Sequence, residues 1–276
     1  MPTLIATVAG DVLGSTYEFA NYCGRPKDLT FFPKDSFATD DTILTCAVAE
    51  ALLVARRPDG SINEREFSAV LPDTLRCFAR RHPEGGYGGR FAEWIKATGA
   101  PAYRSLGNGS AMRVSPCALV TDNIDTACRL ARLSALPTHN HPLGILGAVA
   151  TVHAIFRFRE GREGRERLKN EWPTRFGALG ALPNISRLRR PIRFDETCPG
   201  TVPFCIALAL NTQSWEDTVK RAVTMGGDCD TTAAIAGAVA GGAYPVPETI
   251  RRETLCRLPC DLRKVITHFE TTFCGT

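Results

Sequence analysis

Gly226-Gly227-Asp228-Cys229-Asp230-Thr231-Thr232 runs directly into AAIAGAVAGGA, residues 233–243. After the two aspartates and two threonines, the segment is apolar yet almost free of large side chains. A helix covered only by Ala, Gly, Val and Ile lets neighbouring backbones come close, so this one is expected to be central and buried. Its small residues would also leave room for a ligand near the N-terminal end. The glycine pair fits the same picture, because a backbone without Cβ turns sharply and admits an ion or ligand.

Working outward, apolar residues recur at helical spacing over Ile43 to Val54, Phe67 to Phe78, Ala127 to Leu136, Ile145 to Phe158, Val202 to Leu210 and Val219 to Met225. No stretch sustains the alternation of a half-buried strand. Breakers stand between these runs: PDGS at 58–61, HPEGGYGG at 82–89, LPN at 182–184 and CPG at 198–200. The pattern predicts an all-α, multi-helix bundle. With 276 residues, 44% of them hydrophobic, the chain has material for one large core or two ordinary ones. The absence of a linker or repeat favours one compact domain over residues 1–276.

The 11 cysteines form no CxxC pair, and their odd number argues against a disulfide-stapled secreted domain. No apolar run approaches the roughly 20 residues that cross a bilayer, and no basic flank precedes MPTLIATVAG. A soluble, cytoplasmic protein with reduced thiols and no membrane partner is expected. The net charge of +4 is too small to indicate nucleic acid. Its distribution is uneven, since Arg157 to Arg193 holds 11 basic and four acidic residues. That stretch reads first as a solvated helix and loop, and secondly as a docking surface for an acidic macromolecule.

A second acidic stretch, Thr39-Asp40-Asp41-Thr42, also stands just ahead of an apolar helical run. Asp and Thr at a helix start cap unpaired N–H groups and suit the helix dipole. Capping, however, takes one oxygen per helix, and here each start carries two carboxylates within three residues. Carboxylates that close repel unless a cation compensates. Oxygen ligands of this kind suit Mg²⁺, Mn²⁺ or Ca²⁺ and not the Cys/His set of zinc. If the two starts converge, four negative charges balance two divalent ions, which suggests a two-metal centre. His139 and His141, with no third His or Cys beside them, do not make a zinc site.

Four stretches in order, GDVLGSTYE at 10–18, TDDT at 39–42, GNGSAMRVSP at 107–116 and GGDCDTT at 226–232, resemble the ADP-ribosylglycohydrolases. YGGRFAEWI at 87–95, THNHPLGILGA at 138–148 and VPETI at 246–250 support the resemblance, which spans about residues 5–250. It implies an all-α fold with a binuclear Mg²⁺ centre, Mn²⁺ being possible, at the base of an ADP-ribose cleft. Carried over by motif, Thr39, Asp40, Asp41, Asp228, Asp230 and Thr231 would ligate the metals. Glu18, Asp41 and Asp228 would be catalytic. Ser105, Gly107, Asn108, Gly109, Met112 and His139 would contact ADP-ribose, the glycine-rich turn and following helix start cradling its diphosphate. His141 is read as structural, Arg113 as the partner of a structural carboxylate, and Phe91, Trp94 and Tyr103 as core aromatics or an adenine stack. Ser110 stands where Gly or Ala is usual.

The activity so implied is hydrolysis of the glycosidic bond at C1″ of ADP-ribose on a modified acceptor, with protein arginine expected first. Serine-, nucleic-acid- or small-molecule-linked ADP-ribose are alternatives. A phosphohydrolase cutting the diphosphate, and a catalytically silent ADP-ribose binder or immunity protein, are the competing functions.

Overall fold

The computed structural model describes residues 3–275 except 21, 23, 189 and 190. Among these residues the regular structure is helical, with two isolated bridges and no strand. Fourteen α-helices are described: α1 Ile5–Gly14, α2 Asp40–Val54, α3 Glu64–Arg81, α4 Gly89–Lys96, α5 Gly109–Met112, α6 Ser115–Leu119 and α7 Ile124–Ala135. They continue with α8 Pro142–Arg159, α9 Gly161–Arg175, α10 Cys198–Leu210, α11 Trp215–Thr224, α12 Cys229–Ala240, α13 Glu248–Arg257 and α14 Cys260–Phe273. The all-α expectation holds, and all six periodic runs fall on helices. CPG at 198–200 is not a break between elements. It forms the first turn of α10, where Pro199 occupies a position that needs no N–H donor and Thr197 Oγ1 accepts from Gly200 N at 3.1 Å.

Every residue of α12 is buried, as its small side chains suggested. α1 lies along it closely enough that a Cβ added at Gly10 would sit 2.3 Å from the Ala233 carbonyl oxygen, and one at Gly14 2.4 Å from Asp230 Cα. Trp215 of α11 locks the pair, donating its Nε1–H to Ala6 O at 3.3 Å and Gly237 O at 3.1 Å. The far end of the chain closes on the same layer. Buried Glu270 of α14 accepts from Ile5 N at 3.0 Å, capping α1, and pairs with Arg251 of α13 at 2.6 Å. Gly14→Ala should therefore force α1 away from the acidic start of α12. A stability loss of about 1–3 kcal/mol is expected, measurable as a lower urea midpoint at unchanged slope; an unshifted midpoint would mean that the helices are not in backbone contact.

The basic stretch at 157–193 is largely α9 and the loop after it. Arg157 pairs with Glu171 at 2.7 Å and Glu160 at 3.0 Å, Arg167 with Glu160 at 2.6 Å, and Lys169 with Glu166 at 2.9 Å. Only Gly164, Leu168 and Trp172 of α9 are buried, which is the solvated helix of the first reading. Among the described residues no helix is long and apolar enough to cross a membrane. The described cysteines are all unpaired.

Candidate active site

The two acidic helix starts converge. Thr39 is the N-cap of α2, its Oγ1 accepting from Asp41 N at 3.3 Å, so Asp40 and Asp41 are not the caps. Asp228 is the N-cap residue of α12 but makes no side-chain capping bond. Asp230 Oδ1 accepts from Thr231 N in the first turn of α12 at 2.8 Å, so helix-start hydrogen bonding accounts for one oxygen and leaves the other carboxylates without that role. Gly226 and Gly227, at φ 76° and 72°, supply the left-handed turn into α12.

Beneath the cluster lies Asp11 of α1, fully buried. Its carboxylate accepts from Thr39 Oγ1 at 2.7 Å, Thr39 N and Thr42 N at 3.1 Å each, and Thr42 Oγ1. These four donors tie α1 to the first turn of α2. One oxygen from each of Asp11, Asp41 and Asp230 lies within 4.8 Å of the others, and the same holds for Glu18, Asp228 and Asp230. Asp230 belongs to both trios. Thr231 joins the two helix starts by donating from Oγ1 to Asp41 Oδ2 at 3.0 Å, while buried Asp41 Oδ1 has no hydrogen-bond partner. Asp40 borders the same cleft outside the trios.

Burial with mutual repulsion dominates the electrostatics. Desolvation, followed by the neighbouring carboxylates, holds Asp40, Asp41 and Asp230 well above the usual carboxylate range. Desolvation raises Asp228 too, against the opposing hydrogen bond from Asn108. Asp11 is pushed up to about 6 by burial in spite of its four donors. Glu18 is pushed up to about 7, by burial first and then by Asp228, Glu196 and Asp11. No Lys or Arg pairs with any of these acids among the described residues. An orphaned buried carboxylate oxygen and two all-oxygen trios without a cation are what hard divalent ions fit.

A cleft of about 370 Å³ opens above the cluster, within the range of small-molecule sites. It is bordered by Glu18, Thr39, Asp40, Asp228, Asp230 and Thr231 at one end. Ser105, Gly107, Asn108, Gly109, Met112 and His139 border it elsewhere. Of the residues expected to be catalytic, to ligate the metals or to contact ADP-ribose, Asp41 alone does not border the cleft. Asn108 points inward to the cluster, Nδ2 donating to Asp228 Oδ2 at 2.6 Å and Thr201 Oγ1 at 3.1 Å, so its side chain orients the carboxylate. The helix after this turn is only the four residues of α5, too short for an aligned dipole. What the glycines supply is space, since a Cβ at Gly109 would lie 3.1 Å from His139 Nε2. Buried Ser110 donates to Gly144 O at 2.7 Å, a structural use of its hydroxyl. His141 caps α8, Nδ1 accepting from Leu143 N at 3.1 Å.

Arg113 corrects the sequence reading. It is fully buried and pairs with no carboxylate among the described residues, donating from Nη2 to Ser134 O at 3.1 Å and Thr138 Oγ1 at 2.9 Å. Phe91 and Trp94 are core residues that stack at 5.6 Å, although Phe91 and Tyr103 also reach the cleft. Sequence reasoning missed Asp11 as part of the cluster, although Gly10-Asp11 was in view. It also reads HPEGGYGG as a breaker, with only the YGG end contributing to the family resemblance, whereas Glu84, Gly85, Gly86, Gly88 and Gly89 border the cleft; the density of glycines is the available signal.

The family model for ADP-ribosylglycohydrolase matches residues 1–270. The chain belongs to the ADP-ribosylglycohydrolase family. It is 24% identical to the Mus musculus ADP-ribosylhydrolase ARH3, with 89% of this chain and 84% of that protein aligned. It is 26% identical to the ADP-ribosyl-[dinitrogen reductase] glycohydrolase of Rhodospirillum rubrum, over 88% of this chain and 85% of that one. Among solved structures, an ADP-ribosylglycohydrolase-related protein complex superimposes with a TM-score of 0.68 at 23% identity, covering 98% of this chain and 96% of that one, which shows the shared fold. As a family member the chain is a hydrolase of ADP-ribosyl glycosidic bonds.

Proposed function

We propose that the protein is a divalent-metal-dependent ADP-ribosylhydrolase that cleaves the C1″ glycosidic bond of an ADP-ribosylated protein side chain, arginine first, and releases ADP-ribose. The carrying observation is the pair of carboxylate trios sharing Asp230 at the base of the cleft. Asp11, Asp41 and Asp230 would hold one Mg²⁺ or Mn²⁺, and Glu18, Asp228 and Asp230 a second, with Thr39, Asp40 and Thr231 completing the set. Bound ions of this kind polarise substrate oxygens and lower the pKa of a bound water.

The chain's own groups do the rest. Glu18 borders the open cleft beside Asp228 and Asp230, and as a carboxylate at the edge of the metal centre it is suited to take up a proton during bond cleavage. Asn108 keeps the Asp228 carboxylate oriented. The negative field of the cluster favours the positive charge that develops on the ribosyl carbon as the bond breaks. Exposed Glu84 and Glu196 at the mouth, with Glu18, make the entrance acidic, and an acidic entrance attracts a cationic guanidinium acceptor. The Rhodospirillum rubrum relative's name, ADP-ribosyl-[dinitrogen reductase] glycohydrolase, points to a protein acceptor too.

Incubation with Mg²⁺ and a panel of Arg-, Ser- and nucleotide-linked ADP-ribose substrates tests this reading. Release of free ADP-ribose, fastest from arginine, is expected; AMP plus ribose phosphate would mean diphosphate cleavage instead, and no release from any linkage would mean a silent binder. Mg²⁺ and ADP-ribose together should raise the melting temperature by more than the sum of their separate shifts, because each completes the other's site and a ligand of the folded state stabilises by RT ln(1 + [L]/Kd). Additive shifts at saturation would separate the two sites.

The basic segment after α9 bears on target choice. Arg187 is exposed on the turn at Ile185–Arg187, whereas Arg189 and Arg190 lie outside the described residues. Arg187→Glu should leave hydrolysis of a small ADP-ribosyl substrate within about twofold of wild type and weaken the salt dependence for a macromolecular one. Equal loss on both substrates would assign Arg187 to the fold or the cleft.

A further inference from the structure

Beside the cleft lies a buried chain of three polar groups, Arg113, Thr138 and His139, of which Arg113 and His139 border it. Arg113 Nη2 donates to Thr138 Oγ1 at 2.9 Å, and the same hydroxyl lies 2.7 Å from His139 Nδ1. Thr138 and Arg113 are fully buried and His139 nearly so. Nε and Nη1 of Arg113 have no hydrogen-bond partner although the residue borders the cleft. The other ring nitrogen, His139 Nε2, faces the glycines of the GNGS turn, where a Cβ would meet it at 3.1 Å from Gly109 and 3.5 Å from Gly107.

A guanidinium can only donate, so Thr138 Oγ1 is the acceptor of the Arg113 bond. The hydroxyl proton then needs an acceptor of its own, and His139 Nδ1 is the one within reach. Were Nδ1 protonated, the threonine proton would be buried and unsatisfied, which is disfavoured. The remaining proton of a neutral imidazole must sit on Nε2. Burial, then the charges of Arg113 and Arg90, hold the His139 pKa well below the ordinary value, so the ring is neutral.

We propose that Arg113 and Thr138 are positioning residues that fix His139 as the Nε2–H tautomer, so that the cleft presents a permanent hydrogen-bond donor, backed by a buried cation, to an anionic oxygen of the ligand. This rests on the ADP-ribose reading for the identity of that ligand, whose diphosphate is the anionic part. The tautomer itself is a property of the free protein. The side chain of Thr138 is dispensable to the local backbone, which is held by Thr138 N to Ala135 O at 3.2 Å and Ser105 N to Thr138 O at 3.3 Å. Thr138→Val is nearly isosteric and removes only the link.

The test has two arms. In the ligand-free wild type, long-range ¹H–¹⁵N NMR of the imidazole rings, with His139 assigned from His139→Gln, should show protonated Nε2 and unprotonated Nδ1 at neutral pH. Thr138→Val should show a mixed or Nδ1–H population, and Thr138→Ser should restore the wild-type pattern. In the second arm, ADP-ribose affinity and the KM of the hydrolysis should worsen roughly tenfold in Thr138→Val and recover in Thr138→Ser, with kcat little changed, as expected for losing one charge-assisted hydrogen bond in both ground and transition states. An Nδ1–H tautomer in the wild type, or a valine variant with unchanged ring signals and affinity, overturns the proposal. The predicted tautomer in a protein that binds no ADP-ribose would leave the positioning chain standing and refute the ligand assignment.

Discussion

Asp228→Asn is expected to lower the hydrolytic rate by about three orders of magnitude, equivalent to about 4 kcal/mol of transition-state stabilisation, while leaving the fold nearly as stable as before. The two effects separate because Asp228 makes no side-chain capping bond to α12, so the amide removes no cap. What it removes is a negative charge from the trio with Glu18 and Asp230. Asp230→Asn should be at least as severe, since Asp230 belongs to both trios. Titration with Mn²⁺ would distinguish them: Asp228→Asn should weaken one class of site, and Asp230→Asn both. A double Asp228→Asn, Asp230→Asn variant should lose little activity beyond the worse single one, because groups that act as a unit are not additive. Near-normal hydrolysis by Asp228→Asn, at unchanged metal stoichiometry, would sink the assignment of these carboxylates to a metal centre.

How much of this was legible from sequence depended on the physical signal each residue left. α3, α7 and α11 each bury one apolar stripe and show the 3.6-residue period, whereas α2, α8 and α10 are apolar nearly all round and are legible from the length of their apolar runs. α9 buries only Gly164, Leu168 and Trp172, and a helix that polar reads equally as loop. The four aspartates stood out because capping has no use for adjacent carboxylates. Asp11 did not, because a single Asp inside an apolar helix carries no such excess; only the fold shows it accepting four hydrogen bonds from Thr39 and Thr42. Arg113 gives a misleading signal for a related reason. Sequence chemistry suggests a carboxylate for a buried arginine, but its donors go to the Ser134 carbonyl and the Thr138 hydroxyl, partners that no sequence rule selects.

In the absence of divalent metal, the protein should become less stable as the pH rises from about 4 to 7, and added Mg²⁺ or Mn²⁺ should reverse the trend. The direction follows from the acids of the cluster, whose pKa values are raised in the folded state: Asp11 to about 6, Glu18 to about 7, and Asp40, Asp41 and Asp230 well above the usual range. A carboxyl whose pKa is higher folded than unfolded binds protons preferentially when folded, so stability falls with pH wherever it titrates. The contribution is complete below the unfolded pKa of about 4 and is lost as pH passes through the folded value, near 6 for Asp11. A metal that needs the ionised carboxylates binds more tightly as they deprotonate, so the gap between metal-bound and EDTA-treated melting temperatures should widen with pH. On the order of 5 °C or more is expected at pH 7.5. An Asp40→Asn, Asp228→Asn double variant has two fewer charges to confine, so its EDTA response should be much smaller and its metal-free pH profile flatter. Melting curves for both proteins from pH 4 to 8, with EDTA or with Mg²⁺, give the measurement; a wild type whose metal-free stability rises over this range, or a double variant with the same EDTA response as wild type, would mean that the buried acids are not held together by a divalent ion.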